Sequence, residues 1–124
     1  MELHGRVVVI TGGASGIGAA CARAFSKEGA KVAVADVNVE GACAVAEDIG
    51  AIAVSCDVGK EDDVSALVRT CETELGEIDL FFSNAAVATG GDPISTPIDT
   101  WQQQWQINVM SHVYAVRAVL PSML

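Results

Sequence analysis

The stretch VVVITGGASGIGAACARAF, Val7 to Phe25, sets four glycines between an apolar run and a helix-like segment. It reads either as a tight strand-to-helix turn and nothing more, or as a cradle for phosphate. Glycine serves both, since it permits the turn, lets another backbone approach and allows the helix to lie close on the strand. A loop that follows a strand and opens a helix also aims free N–H groups and the helix dipole at one spot. The spelling is Thr11-Gly12-x-x-x-Gly16-x-Gly18. No Gly-Lys-Ser/Thr follows Gly12 or Gly13, which excludes a P-loop, and Cys21 stands where the third glycine of G-x-G-x-x-G would fall. None of the seven basic residues lies between Thr11 and Gly18. An anion there would be held by backbone amides and the dipole alone.

Outward from this loop, short apolar runs alternate with helix-length segments. RVVVIT (6–11), KVAVAD (31–36), AIAVSCD (51–57) and IDLFFS (78–83) are β-branched or aromatic and bounded by turn residues. Runs apolar on both faces suit parallel strands covered by helices on each side. In EDDVSALVRTCETELG (61–76), Val64, Leu67, Val68, Cys71 and Leu75 share a face at helical spacing. Glu61, Asp62 and Asp63 suit the positive end of that helix, and Gly76 is a stop. DVNVEGACAVAEDIG (36–50) offers Asn38 as N-cap and Gly50 as stop. The order βαβαβαβ predicts an α/β fold with a doubly wound parallel sheet, Rossmann-like, in one domain over 1–124.

After Ser83 the pattern changes. NAAVATGGDPISTP (84–97) is rich in Gly, Pro and small polar residues and reads as a loop at a strand's carboxyl end. A helical stretch from about Asp99 to Leu120 follows, stopped by Pro121. It carries two apolar stripes: Val109, Val113, Val116 and Leu120, and Ile107, Met110, Tyr114 and Ala118. One is expected on the sheet, the other on further chain or a partner subunit, which makes this helix the expected route to a homo-oligomer.

Composition narrows the class. Of 124 residues, 51% are hydrophobic and 19% charged, a globular balance. The net charge of −9, without a basic run, excludes nucleic acid and anionic membrane surfaces as expected partners. Cys21, Cys43, Cys56 and Cys71 lack metal-ligand or C-x-x-C spacing and are expected as buried free thiols, with no metal site. His4 and His112 lack ligand or triad spacing and are expected as surface or hydrogen-bond-satisfied residues. The lead MELHGRVVVI is no signal peptide and no segment is long enough to span a membrane, so the expected location is cytoplasmic.

Asp36 decides between the two readings of the loop. It ends the second run, 18 residues beyond Gly18, where a carboxylate can accept hydrogen bonds from an adenosine ribose. A 2′-phosphate would meet its charge, and neither Gly13–Ser15 nor Val37–Asn38 supplies Arg or Lys. The expected cofactor is therefore NAD rather than NADP.

These residues resemble the short-chain dehydrogenase/reductase family over essentially the whole chain. TGGASGIG is similar to its cofactor motif, which implies cofactor contacts at Gly12, Ser15, Gly16, Ile17 and Gly18 beside Asp36. CDV (56–58) resembles the segment after the third strand, implying Asp57 against the adenine and Val58 beside it. SNAA (83–86) resembles the Asn-Asn-Ala-Gly motif, implying Asn84, Ala85 and Ala86 at the cofactor, although Ser83 and Ala86 replace Asn and Gly. INV resembles the helix segment carrying a catalytic-site asparagine, here Asn108, which would help hold a proton-relay water and the helix shape around it.

The resemblance implies hydride transfer between nicotinamide and an alcohol or ketone substrate. The family's catalytic Ser and Tyr-x-x-x-Lys lie downstream of INV, and Tyr114 has Ala118 rather than Lys at the fourth position onward. Tyr114 is therefore expected as a core or interface aromatic. The chain is expected to be the amino-terminal, cofactor-binding portion of such an enzyme, incomplete at its carboxyl end and inactive alone. Two other readings stay open: a non-catalytic NAD-binding module, for which Asn108 has no use, and a fragment that dimerises through the two-striped helix.

Overall fold

The structure, a computed structural model, describes all 124 residues. Four strands, β1 (Val7–Thr11), β2 (Lys31–Asp36), β3 (Ile52–Ser55) and β4 (Leu80–Phe82), form one sheet in the order β3-β2-β1-β4, with every pair parallel. Five helices connect and follow them: α1 (Gly16–Lys27), α2 (Val39–Ile49), α3 (Glu61–Glu74), α4 (Ile98–Trp105) and α5 (Ser111–Met123). A π-helical turn, Gln106–Met110, joins α4 to α5.

The runs become strands because both sheet faces are covered. Val8, Ile10, Val32 and Val34 face α1 and α2, packing with Ala19, Ala22, Ala42, Val45 and Ala46. Val7, Val9, Ala33 and Ala35 face the other way, onto Leu67, Val68 and Cys71 of α3 and Ala115 and Val119 of α5. The period-2 pleat thus feeds two cores from one all-apolar run. Since β1 lies between β2 and β4, the winding direction reverses beside it, which opens a crevice at the carboxyl ends of the strands.

Local signals act as expected in α2 and α3. Asn38 Oδ1 accepts from Gly41 N at 3.0 Å, and Gly50 closes α2 at φ +68°. Asp63, in the first turn of α3, accepts from Asp57 N at 2.9 Å and so fixes the β3–α3 connection.

The last helix departs from expectation in two ways. Pro121 does not stop it: α5 runs to Met123. Proline here forgoes one bond near the helix end, while Leu124 N still donates to Leu120 O and Ser122 Oγ to Val119 O. The phase also differs. The fully buried face is Ser111, Ala115 and Val119, with Ile107, Tyr114 and Ala118 packed at its margin. Val109, Val113, Val116 and Leu120 are exposed, and Ile98, Trp101 and Trp105 extend their stripe along α4. No helix is long and apolar enough to cross a membrane.

The thiols are all free but not all buried: Cys56 and Cys71 lie in the core, Cys21 is half-buried and Cys43 is exposed on α2. Cys43 falls outside the apolar face set by Ala42, Val45 and Ala46.

Candidate functional site

A cleft of about 410 Å³ opens at the carboxyl ends of the strands. Its floor is the β1–α1 loop. Gly12, at φ +66°, lies against the post-β4 segment so closely that a Cβ would meet Ala85 Cα at 2.9 Å. At Gly18 a Cβ would collide with the carbonyl of Gly12 and lie 2.7 Å from Asn84 Nδ2. These glycines are demanded by close backbone packing as well as by the turn.

Helix α1 begins unfilled. Its N-cap, Ser15, makes no side-chain cap bond, and its first turn carries no acidic residue. First-turn amides have no intrahelical acceptor, so the donors and the positive dipole end remain available to an anion. Gly13 N and Ala14 N are already used, donating to Ala35 O at 3.1 Å and Asp36 Oδ2 at 3.0 Å.

Asp36 reaches the cleft from the end of β2. It accepts from Ala14 N through one oxygen and from Asn38 N, also at 3.0 Å, through the other. A carboxylate has about four acceptor positions, so about two remain for a ligand. Asp57 enters after β3 and accepts from Gly59 N at 2.9 Å. The cleft lining therefore holds two carboxylates and no Lys or Arg.

The post-β4 segment is tied down from two sides. Thr11, 2% exposed, accepts from Asn84 N at 3.0 Å and Ala85 N at 3.2 Å through Oγ1. The Asn84 carboxamide returns a bond to Thr11 O at 3.1 Å. From the other side, Asn108 in the π turn accepts from Val87 N at 2.9 Å and donates to Val87 O at 2.8 Å. One turn further, His112 Nδ1 lies 2.7 Å from Ser83 Oγ. Ala86 has no positive φ, so its Cβ adds no conformational strain where the resembling motif has glycine.

Of the residues singled out in the sequence, Gly12, Ser15, Ile17, Asp36, Asp57 and Val58 line the cleft, as do Asn84, Ala85 and Ala86. Gly16 and Gly18 shape the loop without lining it, and Asn108 acts on Val87 from behind. Cys56, Val87 and Ile107 also line it and were not foreseen, although each adjoins a foreseen residue; Val37, weighed in the sequence only for its lack of charge, lines it too. Thr11 was read only as the start of a motif; a hydroxyl ending an apolar strand was the available signal. Burial first, then the carboxylates of Asp63 and Asp57, push the Cys56 thiol up to about 12, so it presents a neutral wall.

Comparison with known proteins agrees with this geometry. The sequence model of the family described as short chain dehydrogenase matches residues 6–124. A short chain aldehyde dehydrogenase from Euphorbia lathyris is 39% identical, over 97% of this chain and 45% of its own. A sorbitol dehydrogenase from Cereibacter sphaeroides is 35% identical, over all of this chain and 49% of its own. The chain thus spans about half the length of the curated relatives it matches. Among solved structures, a short chain dehydrogenase/reductase from Burkholderia phymatum in complex with NAD superposes with a TM-score of 0.96 at 33% identity, over all of this chain and 46% of that one. A blue fluorescent protein from a metagenomic library, in complex with NADPH, gives 0.92 at 28% identity over 98% of this chain and 53% of that one.

Proposed function

This chain belongs to the short-chain dehydrogenase family, a family of oxidoreductases, and on that premise we propose that its cleft holds NAD. The amides opening α1, from Ser15 to Gly18, take the pyrophosphate, and Gly12 leaves room beside Ala85 for it to approach. Asp36 accepts from the adenosine ribose with its two spare positions, and Asp57, Val58 and Ile17 flank the adenine. Asn84, Ala85 and Ala86 border the far half of the cofactor. A dinucleotide bound there supplies a hydride acceptor or donor, and the carbon it serves is that of an alcohol or ketone.

The observation that carries the choice of NAD over NADP is the lining itself. Asp36 lies at the ribose end with no cation among the lining residues, so a 2′-phosphate would enter an uncompensated negative field. NAD and NADPH both occur among the similar solved structures, so the preference for NAD is supported by the lining residues alone. Titration of the chain with NAD and NADP, followed by calorimetry, tests it. NAD is expected to bind more tightly, and Asp36→Ala with Val37→Arg to move preference toward NADP. Tighter NADP binding by the wild-type chain would overturn the assignment.

Asn108 belongs to the catalytic side of this reading. One donor and one acceptor of its carboxamide are engaged by Val87, which fixes the position of the post-β4 segment. The exposed stripe from Ile98 to Leu120 is the surface we assign to a second copy of the chain. At 1.5 Å per residue it extends over roughly 33 Å, longer than the scattered apolar residues of an ordinary monomer surface.

A further inference from the structure

Backbone bookkeeping in the π turn leads to a residue outside the cleft. Ser111 N donates five residues back, to Gln106 O, as a π turn requires. Ile107 O loses that amide and is satisfied by Ser111 Oγ instead. Gln106 is held by its side chain as well: Tyr114 Oη donates to Gln106 Oε1 at 2.7 Å in a partly buried setting.

That last bond depends on the wide turn. At 3.6 residues per turn, eight residues make about 2.2 turns, which would leave the two side chains about 80° apart. The π turn takes up one residue, leaving in effect seven, about 1.9 turns, and the pair shares a face. Relaxation to a regular helix would break the bond and rotate Asn108 by about 100° relative to α5, away from Val87. The turn also sits against the cleft, since Ile107 lines it and a Cβ on Gly59 would lie 3.3 Å from Ile107 Cγ1.

We infer that Tyr114 is a positioning residue: its hydroxyl, through Gln106, locks the π turn and so keeps Asn108 on both backbone groups of Val87. Its consequence for cofactor binding rests on the NAD reading above; the lock itself does not.

The test uses the whole 124-residue chain without dinucleotide, reading amide hydrogen exchange at Val87, with Val9 in the centre of β1 as the reference for global opening. Tyr114→Phe keeps the ring and loses the hydroxyl, whereas Gln106→Met keeps the length and loses the acceptor. Each is expected to speed exchange at Val87 about three- to tenfold, the effect of one lost hydrogen bond, with Val9 unchanged. Gln106→Glu keeps an acceptor and is expected to protect Val87 as the wild type does. Unchanged exchange at Val87 in both variants, an equal rise at Val9, or Gln106→Glu behaving like Gln106→Met overturns the lock. NAD titration then separates the two ideas. Wild-type chain that binds no NAD defeats the cofactor reading and leaves the exchange result to decide the lock. Variants with fast Val87 exchange and wild-type NAD affinity overturn the positioning role.

Discussion

Replacing Thr11 by valine keeps the side chain's shape and removes the oxygen that accepts from two successive amides of the post-β4 segment. Thr11 Oγ1 accepts from both Asn84 N and Ala85 N, and its own proton has only a long 3.5 Å contact to Phe82 O. Each amide left without its acceptor costs about 1–3 kcal/mol when buried, so this partly buried pair costs about 2 kcal/mol at the low end of that range. Valine nearly matches threonine in volume, so the loss comes from the missing hydroxyl rather than from packing. For a domain of this size such a loss lowers Tm by about 8 °C. Thr11→Ser keeps the acceptor and deletes one methyl, costing about 1 kcal/mol, so the two variants separate. Thermal melts give the order, and amide exchange gives the mechanism: Ala85 should be exposed in Thr11→Val and protected in Thr11→Ser. If Ala85 is equally protected in both variants, the hydroxyl does not hold the segment, and the account of the cleft's far wall fails with it.

Three further outcomes follow from the same structure. The carboxyl of Asp79 is held below its ordinary range, chiefly by the hydrogen bond from Val7 N and secondarily by Arg6, against an opposing effect of burial. Its folded pKa lies below the unfolded value of about 3.9, so its stabilisation is present above that pH and is lost as pH falls through the folded value. The Tm deficit of Asp79→Asn should therefore shrink on acidification below about pH 4, and a constant deficit refutes the linkage. Burial first, and nearby acidic groups after it, push Cys71 up to about 12, as for Cys56. Native chain at pH 8 should react with a thiol reagent at exposed Cys43 and not at Cys56 or Cys71. Their neutral-thiol stabilisation, complete below an unfolded pKa of about 8.5, should fade as pH rises toward the folded value; native labelling of all four thiols at one rate contradicts this. Val113→Glu with Val116→Glu should convert an oligomer to a monomer in sedimentation while costing the monomer no more than about 1 kcal/mol of stability, because both side chains are exposed; an unchanged mass removes the stripe from the interface.

How much of this was legible in the sequence depends on how local the cause is. The four strands stood out because both faces of a central parallel strand must be apolar, and RVVVIT and KVAVAD satisfy that without any tertiary knowledge. Asn38, Gly50 and the acidic first turn of α3 act within four residues of themselves, and they fell where expected. The cleft was legible mainly through motif resemblance, and the fold explains why those separate motifs form one site: each follows a strand, and the carboxyl ends of neighbouring parallel strands lie side by side. Of the nine foreseen residues that line it, Gly12 and Asp36 followed from the glycine loop and the end of the second run, and the others from the resemblance of TGGASGIG, CDV and SNAA to family motifs. Thr11 escaped because its partners, Asn84 and Ala85, lie more than seventy residues away and nothing local announces a hydroxyl shared by two distant amides.

The final helix misled through two separate physical effects. Periodicity weights large apolar side chains, so it drew two stripes, Val109, Val113, Val116 and Leu120 and Ile107, Met110, Tyr114 and Ala118, without saying which meets the sheet, and it passed over the small residues between them. The face that meets α3 and the sheet is instead Ser111, Ala115 and Val119, because helices that approach closely need small residues at the contact. The π turn then shifts α4 and α5 by one residue relative to each other, so a stripe that follows 3.6 residues per turn through Asn108 cannot stay in phase. With that residue taken out, Trp101, Trp105, Val109, Val113, Val116 and Leu120 lie along one exposed side. Large residues outside and small ones inside describe a helix that uses its inner face for tight packing and keeps its apolar bulk for a second surface. The same extra residue that aims Asn108 at Val87 therefore also aligns the outer stripe, and straightening the turn would damage the cleft and the stripe together.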